Sequence, residues 1–206
     1  RVSRTFAALL VAVDVGHHYT APGVVSASGK AELEFNLELA YEVRKYLNDA
    51  GFAVRMIEER PLYDRTAAAA GADLFVSIHH DSVRPEYLPV AASFSGYSLF
   101  ISRLNPQPQK SLACASAIGS QLRAAGLVPS RYHADPVLGE DRPFADELNG
   151  VHFFDNLAVA RTASMPSVLV EAGVIVNADE ERRLADPEVR GRIARAIAGG
   201  VKACLP

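Results

Sequence analysis

The stretch Phe6-Ala-Ala-Leu-Leu-Val-Ala-Val-Asp-Val-Gly-His17 decides the fold class, because an apolar run leads directly into side chains that can bind a metal. Two more stretches have the same form, Asp73-Leu-Phe-Val-Ser-Ile-His79 and Ser167-Val-Leu-Val-Glu171. Short runs rich in Val, Ile and Leu are typical of strands buried on both faces of a sheet. Ligands collect beyond the carboxyl ends of such strands. We therefore expect the polar residues that end these three runs to share one rim of the molecule.

Composition limits the class of protein and its partners. The chain has 206 residues, of which 49% are apolar and 22% charged, with a net charge of −3. We expect residues 1–206 to form a single catalytic domain, acting as a monomer. Nucleic acid is not an expected partner because no Lys/Arg run is present. No apolar stretch reaches the roughly 18 to 20 residues of a membrane span. Arg1-Val-Ser-Arg4 resembles the start of a signal peptide, but no cleavage site follows, so we assign the apolar run to a strand.

Hydrophobic periodicity predicts an α/β fold. A long helix is indicated by apolar residues spaced three and four apart, namely Leu33, Leu37, Ala40, Val43 and Leu47. It ends at Gly51 and leads into a strand at 52–57, which implies a parallel β–α–β unit. The remaining predicted elements are a short helix at 61–71, a strand at 97–101, a helix at 109–125, a strand at 156–161 and a helix at 187–203. Residues 127–152 show no sustained period and are predicted to form a long functional loop.

Two cysteines, Cys114 and Cys204, fall within helical patterns. The pattern favours two small buried apolar side chains. A disulfide is the alternative, if the two helices pack side by side, and it would fit an oxidising compartment.

The histidines that end the first two runs are candidate metal ligands, and each has a competitor. His17 is followed by His18, and Asp14 could accept the second N–H of a ligating ring. His79 is followed by His80, and because side chains alternate along a strand, one of the two should face the site. We expect His80 either to face solvent or to support the ligands from behind.

Carboxylates complete the candidate site. Glu32 and Glu34 both lie in the first turn of the long helix, and helical geometry alone leaves the choice between them open. Glu171 follows an apolar run and has no evident counter-charge nearby, so a purely structural role would be costly. A base beside a metal-activated water explains its position better, because burial raises a glutamate pKa toward neutrality.

Together these motifs resemble the zinc-dependent N-acetylmuramoyl-L-alanine amidases, which cleave bacterial peptidoglycan. The resemblance runs in order over almost the whole chain, through Val13-Asp-Val-Gly-His17, Glu32-Leu-Glu-Phe-Asn-Leu37, Ala72-Asp-Leu-Phe-Val-Ser-Ile-His79, Gly96-Tyr-Ser-Leu-Phe100 and Pro166-Ser-Val-Leu-Val-Glu-Ala-Gly173. It implies that His17, Glu32 and His79 bind Zn²⁺ and that Glu171 is catalytic. It also implies a mixed, mostly parallel six-stranded sheet between helices, hydrolysis of the bond between N-acetylmuramic acid and L-alanine, and a periplasmic or extracellular location.

Two other functions remain open on the sequence. A zinc carboxypeptidase-like peptidase could use the same ligands, but it would need an arginine for the terminal carboxylate, with Arg131, Arg142 or Arg161 as candidates. A cell-wall binding module without activity is the second alternative. His133 and His152 lie in or beside the loop at 127–152, and we expect them to be exposed.

Overall fold

A seven-stranded sheet forms the centre of the part of the chain that the computed structural model describes, residues 7–205. Its strands are Leu10–Val15 (β1), Ala53–Ile57 (β2), Leu74–Asp81 (β3), Ser98–Ile101 (β4), Phe144–Asp146 (β5), Val151–Phe153 (β6) and Ser167–Val174 (β7). Their spatial order is β2-β1-β3-β7-β4-β6-β5, and only the pairs β4–β7 and β5–β6 are antiparallel. The predicted α/β fold with a mixed, mostly parallel sheet is confirmed, with seven strands instead of six.

Six α-helices accompany the sheet in the described residues. They are Glu32–Asp49 (α1), Arg65–Ala68 (α2), Pro108–Ala124 (α3), Ala158–Thr162 (α4), Ala178–Ala185 (α5) and Pro187–Cys204 (α6). The prediction of a strand at 156–161 is wrong, because most of this segment lies in α4. Six residues are too few to distinguish the hydrophobic period of a helix from that of a strand. None of the helices within 7–205 has the length and apolar character needed to cross a bilayer.

The two faces of the sheet are covered unequally. The larger core lies on one face, where α1, α3 and α6 contribute side chains such as Leu39, Ile118 and Ile197. A smaller core on the other face packs Phe75 and Leu169 against residues of α4 and the segment after α2. Polar side chains gather on this second face near the carboxyl ends of β1, β3 and β7, including Asp14, Ser77 and His79.

The segment 127–152 is more ordered than the sequence indicated. It contributes β5 and the first residues of β6 to the edge of the sheet, so its description as one long loop is wrong. Strands of three residues are too short to produce a recognisable alternation. At the other end of the chain, Phe6, where the first predicted strand begins, lies outside the described residues.

Cys114 and Cys204 form a disulfide between α3 and the end of α6. Their Cα atoms are 5.0 Å apart across a sequence separation of 90 residues. The favoured interpretation as two unlinked apolar side chains is therefore wrong. The physical reason is that α3 and α6 pack side by side on the same face of the sheet, a contact that spacing along the chain could not reveal.

Removing this disulfide should reduce stability without removing the fold. A cross-link that closes about 90 residues restricts the unfolded chain strongly, so the double variant Cys114→Ser/Cys204→Ser should lose about 2–4 kcal/mol of unfolding free energy. Urea unfolding of the oxidised wild type and of the variant measures the difference. Reduction of the wild type with dithiothreitol should give the same loss, and equal unfolding midpoints for all three samples would contradict the prediction.

Candidate metal centre

Three predicted ligands meet at one point of the sheet. His17 Nε2 lies 3.0 Å from Glu32 Oε2, and His79 Nδ1 lies 3.1 Å from Glu32 Oε1. One ligand atom from each residue falls within 4.8 Å of the others. The two imidazole rings stand edge to face, with centroids 5.1 Å apart. We call this group the His17–Glu32–His79 cluster.

The chemistry of the cluster fits a zinc ion. The ligand atoms lie within 4.8 Å of one another, close enough to converge on one ion. Two imidazole nitrogens and one carboxylate are a donor set that leaves a fourth position open. Burial would raise the pKa of Glu32, but the hydrogen bonds with His17 and His79 outweigh it and hold the pKa far below its usual range. Glu32 is therefore an anion at neutral pH, as a metal ligand must be.

His17 is held by its backbone. Its φ of 70° lies in the left-handed region, which few residues other than glycine adopt. Arg65 stabilises this conformation by donating from Nη2 to the His17 carbonyl at 2.5 Å and from Nη1 to the Val15 carbonyl at 2.5 Å. Asp14 accepts from Arg65 at 2.8 Å and from Ser77 at 2.6 Å. Asp14 thus orients His17 through Arg65, and the expected contact with the histidine ring is replaced by this ion pair.

Two glycines allow the ligands to come together. A Cβ atom on Gly16 would lie 2.4 Å from the ring of His79, and one on Gly23 would lie 2.4 Å from Glu32 Oε2. Gly23 also has a φ of +82°, which a side chain would disfavour. Any larger residue at either position would displace a predicted ligand.

Glu32 is fixed from behind by a buried polar group. Oε1 of Glu32 accepts from Asn36 Nδ2 at 3.2 Å and from the His80 backbone N–H at 3.2 Å. The His80 ring contacts Asn36 Oδ1 through Nδ1 at 2.8 Å. Burial lowers the pKa of His80 to about 3, so its ring is neutral. Of the two expectations for His80, solvent exposure is wrong and support of the ligands is observed.

Glu171 lies on the same face as His79, directly beside it in the sheet. The parallel pairing of β3 with β7 places His79 opposite Glu171. Both residues lie within their strands, whereas the sequence placed them at strand ends. Glu171 Oε2 is buried and has no hydrogen-bond partner within the protein. Burial, followed by the negative charges of Asp81, Glu32 and Glu140, raises the pKa of Glu171 well above its usual value.

A second polar cluster adjoins Glu171 and involves a residue that we expected to be exposed. His133 Nε2 lies 2.6 Å from Asp81 Oδ2, and its Nδ1 lies 2.8 Å from Glu140 Oε2. Tyr132 also donates to Asp81. Carboxylates only accept hydrogen bonds, so the ring must donate from both nitrogens and is an imidazolium. Burial opposes this charge, but Asp81 and Glu140 raise the pKa of His133 to about 9.

His152 is also buried rather than exposed. It lies in β6, beside Phe100 and Phe144, and none of its surface reaches solvent. Its Nδ1 is 3.1 Å from the Arg142 carbonyl. Burial lowers the pKa of His152 to about 4. The expectation of exposure fails for both histidines because the segment that carries them folds back onto the sheet.

A cavity of about 230 Å³ opens beside the predicted ligands. The rings of His17, His18 and His79 line one side of it, and the other side is apolar, formed by Leu62, Leu157, Val159 and Leu169. His18 contacts Thr20 Oγ1 at 2.9 Å. His18, the alternative to His17, thus lines the cavity and is not one of the three members of the cluster.

Two supporting residues were missed in the sequence, although each left a signal. Asn36 follows Glu32 by four positions, so both lie on one face of α1. Arg65 is a charged residue at the start of the Ala-rich segment Thr66-Ala-Ala-Ala-Ala70, where a solvated side chain would be the ordinary expectation. Its almost complete burial shows that the charge serves a buried partner.

Comparisons with known proteins identify the family of the chain. The Amidase_3 family, described as N-acetylmuramoyl-L-alanine amidase, matches residues 11–203. N-acetylmuramoyl-L-alanine amidase AmiA of Salmonella typhimurium is 29% identical over 242 residues, which cover 98% of this chain and 78% of AmiA. N-acetylmuramoyl-L-alanine amidase AmiC of Neisseria meningitidis is 30% identical over 222 residues, which cover 94% of this chain and 52% of AmiC.

Solved structures show the same fold. The amidase Ami1 of Mycobacterium smegmatis superposes with a TM-score of 0.80 at 24% identity, covering 97% of each chain. The catalytic domain of the amidase CwlV of Paenibacillus polymyxa var. colistinus gives a TM-score of 0.73 at 27% identity, covering 95% of this chain and 97% of the other. The resemblance carried by the sequence motifs is confirmed: the chain is an enzyme that belongs to the N-acetylmuramoyl-L-alanine amidase family.

Proposed function

We propose that this chain hydrolyses the amide bond between the lactyl group of N-acetylmuramic acid and L-alanine in peptidoglycan, using Zn²⁺ bound by His17, Glu32 and His79. The observation that carries the proposal is the register of the sheet. Among residues 7–205, Glu171 Oε2 is the only buried carboxylate oxygen without a hydrogen-bond partner. The register sets Glu171 beside His79, a member of the His17–Glu32–His79 cluster.

The donor set favours zinc over harder ions. Imidazole nitrogens suit Zn²⁺, whereas Mg²⁺ and Ca²⁺ prefer oxygen ligands alone. When bound, zinc supplies two effects: it lowers the pKa of a coordinated water to about 7, and it polarises the scissile carbonyl.

Glu171 has the properties that a general base requires here. Its pKa is raised by burial, which brings it nearer to the pH at which it must exchange protons. We infer that it takes a proton from the attacking water and gives it to the departing amide nitrogen. The C–N bond then breaks, leaving a carboxylate on the lactyl group and a free amine on L-alanine.

The location of the substrate agrees with the covalent structure of the chain. Peptidoglycan lies outside the cytoplasmic membrane, and the Cys114–Cys204 disulfide is the kind of cross-link that persists in oxidising compartments. We therefore propose that the enzyme acts in the periplasm or outside the cell.

The product of hydrolysis tests the proposed function. Zinc-loaded protein incubated with purified muropeptides should release the intact stem peptide with L-alanine at its free amino end, identified by mass spectrometry and amino-terminal labelling. The same protein after chelation of zinc is the control. Release of single carboxyl-terminal residues would instead support the peptidase alternative. The peptidase alternative needs an arginine for the terminal carboxylate, and two of its three candidates already have other contacts. Arg131 pairs with Glu147, and Arg142 covers the ring of Phe154.

A further inference from the structure

One serine hydroxyl stands opposite Glu171 and also lacks a partner. The antiparallel pairing of β4 with β7 places Ser98 across from Glu171. Residues that face each other in such a pair point to the same side of the sheet, with Cβ atoms about 4.5–5.5 Å apart. Ser98 is fully buried, and its Oγ, like Glu171 Oε2, has no hydrogen-bond partner within the protein.

These two atoms have complementary hydrogen-bonding chemistry. A hydroxyl can donate, and an ionised carboxylate can only accept. A buried polar atom without a partner is unfavourable, and two such atoms side by side remove the penalty if they serve each other. The Cβ spacing typical of such a pair allows a direct contact after a change of side-chain rotamer, or a contact through one water.

Three donor groups near Glu171 already have partners. His79 directs Nδ1 to Glu32. Tyr132 and His133 both direct their donors to Asp81. Ser98 lies directly opposite Glu171 on the adjoining strand and its hydroxyl has no partner, so it is the candidate donor for Oε2.

We propose that Ser98 is a positioning residue that holds Oε2 of Glu171 and thereby presents Oε1 to the reacting water. Glu171 remains partly exposed although Oε2 is closed to solvent, so Oε1 is the oxygen left to meet substrate. The inference rests on the proposed function, because it assumes that Glu171 is the base. Ser98 acts through the orientation of Glu171 and needs no contact with substrate or metal.

The variant Ser98→Ala tests this role. The variant loses a hydrogen bond to a charged group in the reacting state, and this loss should lower kcat by about 10- to 100-fold. KM and zinc content should stay unchanged, because neither substrate binding nor the ligands are altered. A merely structural serine predicts a different result: removing a partnerless hydroxyl from a buried site leaves kcat unchanged.

Matched variants separate positioning from packing. Ser130 is the other serine in residues 7–205 with a buried, partnerless hydroxyl, and the bridge between Tyr97 and Pro129 places it next to the start of β4 instead of opposite Glu171. Ser130→Ala should retain wild-type kcat. Ser98→Cys, which keeps the volume but donates weakly, should resemble Ser98→Ala, whereas Ser98→Thr should recover most of the rate. Thermal midpoints identify any variant that fails to fold, and if Ser98→Thr fails, the comparison of the alanine and cysteine variants with Ser130→Ala decides.

The double variant distinguishes this inference from the proposed function. In a Glu171→Gln background, Ser98→Ala should cause no further loss, because both changes remove the same base. Full activity of Ser98→Ala with an inactive Glu171→Gln would overturn the role of Ser98 alone. If the wild-type enzyme releases no peptide with amino-terminal L-alanine, the proposed function itself fails, whatever the Ser98 variants do.

Discussion

Glu171→Gln should lower kcat by about 10²- to 10⁴-fold, the range that a positioned general base contributes. Glutamine keeps the shape of the side chain but cannot accept the proton from water. The zinc content should match the wild type, since Glu171 is not among the three predicted ligands. The thermal midpoint should be equal or higher, because the change removes a negative charge that burial disfavours.

Zinc analysis, thermal unfolding and peptide release on the same preparations check this expectation. A loss of activity together with a loss of zinc would show that Glu171 supports the metal site instead of moving protons. A variant that retains zinc and cleaves at the wild-type rate would show that another group is the base.

Glu32→Gln should weaken zinc binding by at least about 100-fold, because changes even in residues behind the ligands cost 10- to 100-fold. The carboxylate of Glu32 approaches both histidines, so its negative charge neutralises the ion from the centre of the donor set. Activity at limiting zinc should fall to that of the chelated wild type. Stabilisation by zinc, about 2.7 kcal/mol when the free ion is at 100 times its Kd, should fall to about 0.4 kcal/mol or less at the same zinc concentration.

Glu34→Gln is the matched control for Glu32→Gln. Glu34 lies two positions away in the same turn of α1, is exposed, and reaches only the Ala31 backbone N–H at 3.4 Å. It should bind zinc as the wild type does. If both variants kept zinc, or if both lost it, the assignment of Glu32 as the ligand would be wrong.

The sequence predicted those parts of the fold that depend on local pattern. Strands buried on both faces appear as apolar runs, so β1, β3 and β7 could be recognised, and α1 was visible in its regular spacing of leucines. His17, His79 and Glu171 could be named as candidates because they follow these apolar runs, whereas the choice of Glu32 over Glu34 came from the family resemblance. Which side chains lie next to each other on the sheet depends on the register, and the register is set only when the strands pair.

What the sequence did not predict depends on contacts between distant segments. The burial of His133 requires Asp81, which is 52 positions away, and the disulfide requires two helices to lie side by side. Asp14 lies near His17 in the sequence, but Arg65, with which it pairs, is 51 positions away. Polar residues whose partners lie far along the chain resemble surface residues until the fold brings the partners together.

The pairing of His79 with Glu171 has a consequence for how members of this family can vary. Backbone hydrogen bonds between β3 and β7 fix the position of His79, a predicted metal ligand, relative to Glu171. Side-chain motion alone cannot move either residue to the other side of the sheet. A single residue inserted in β7 ahead of Glu171 would turn that side chain toward the opposite core, where Val170 and Ala172 now pack. A relative could therefore keep every motif residue and still be inactive, so the number of residues between the start of β7 and its glutamate is as informative as the glutamate itself.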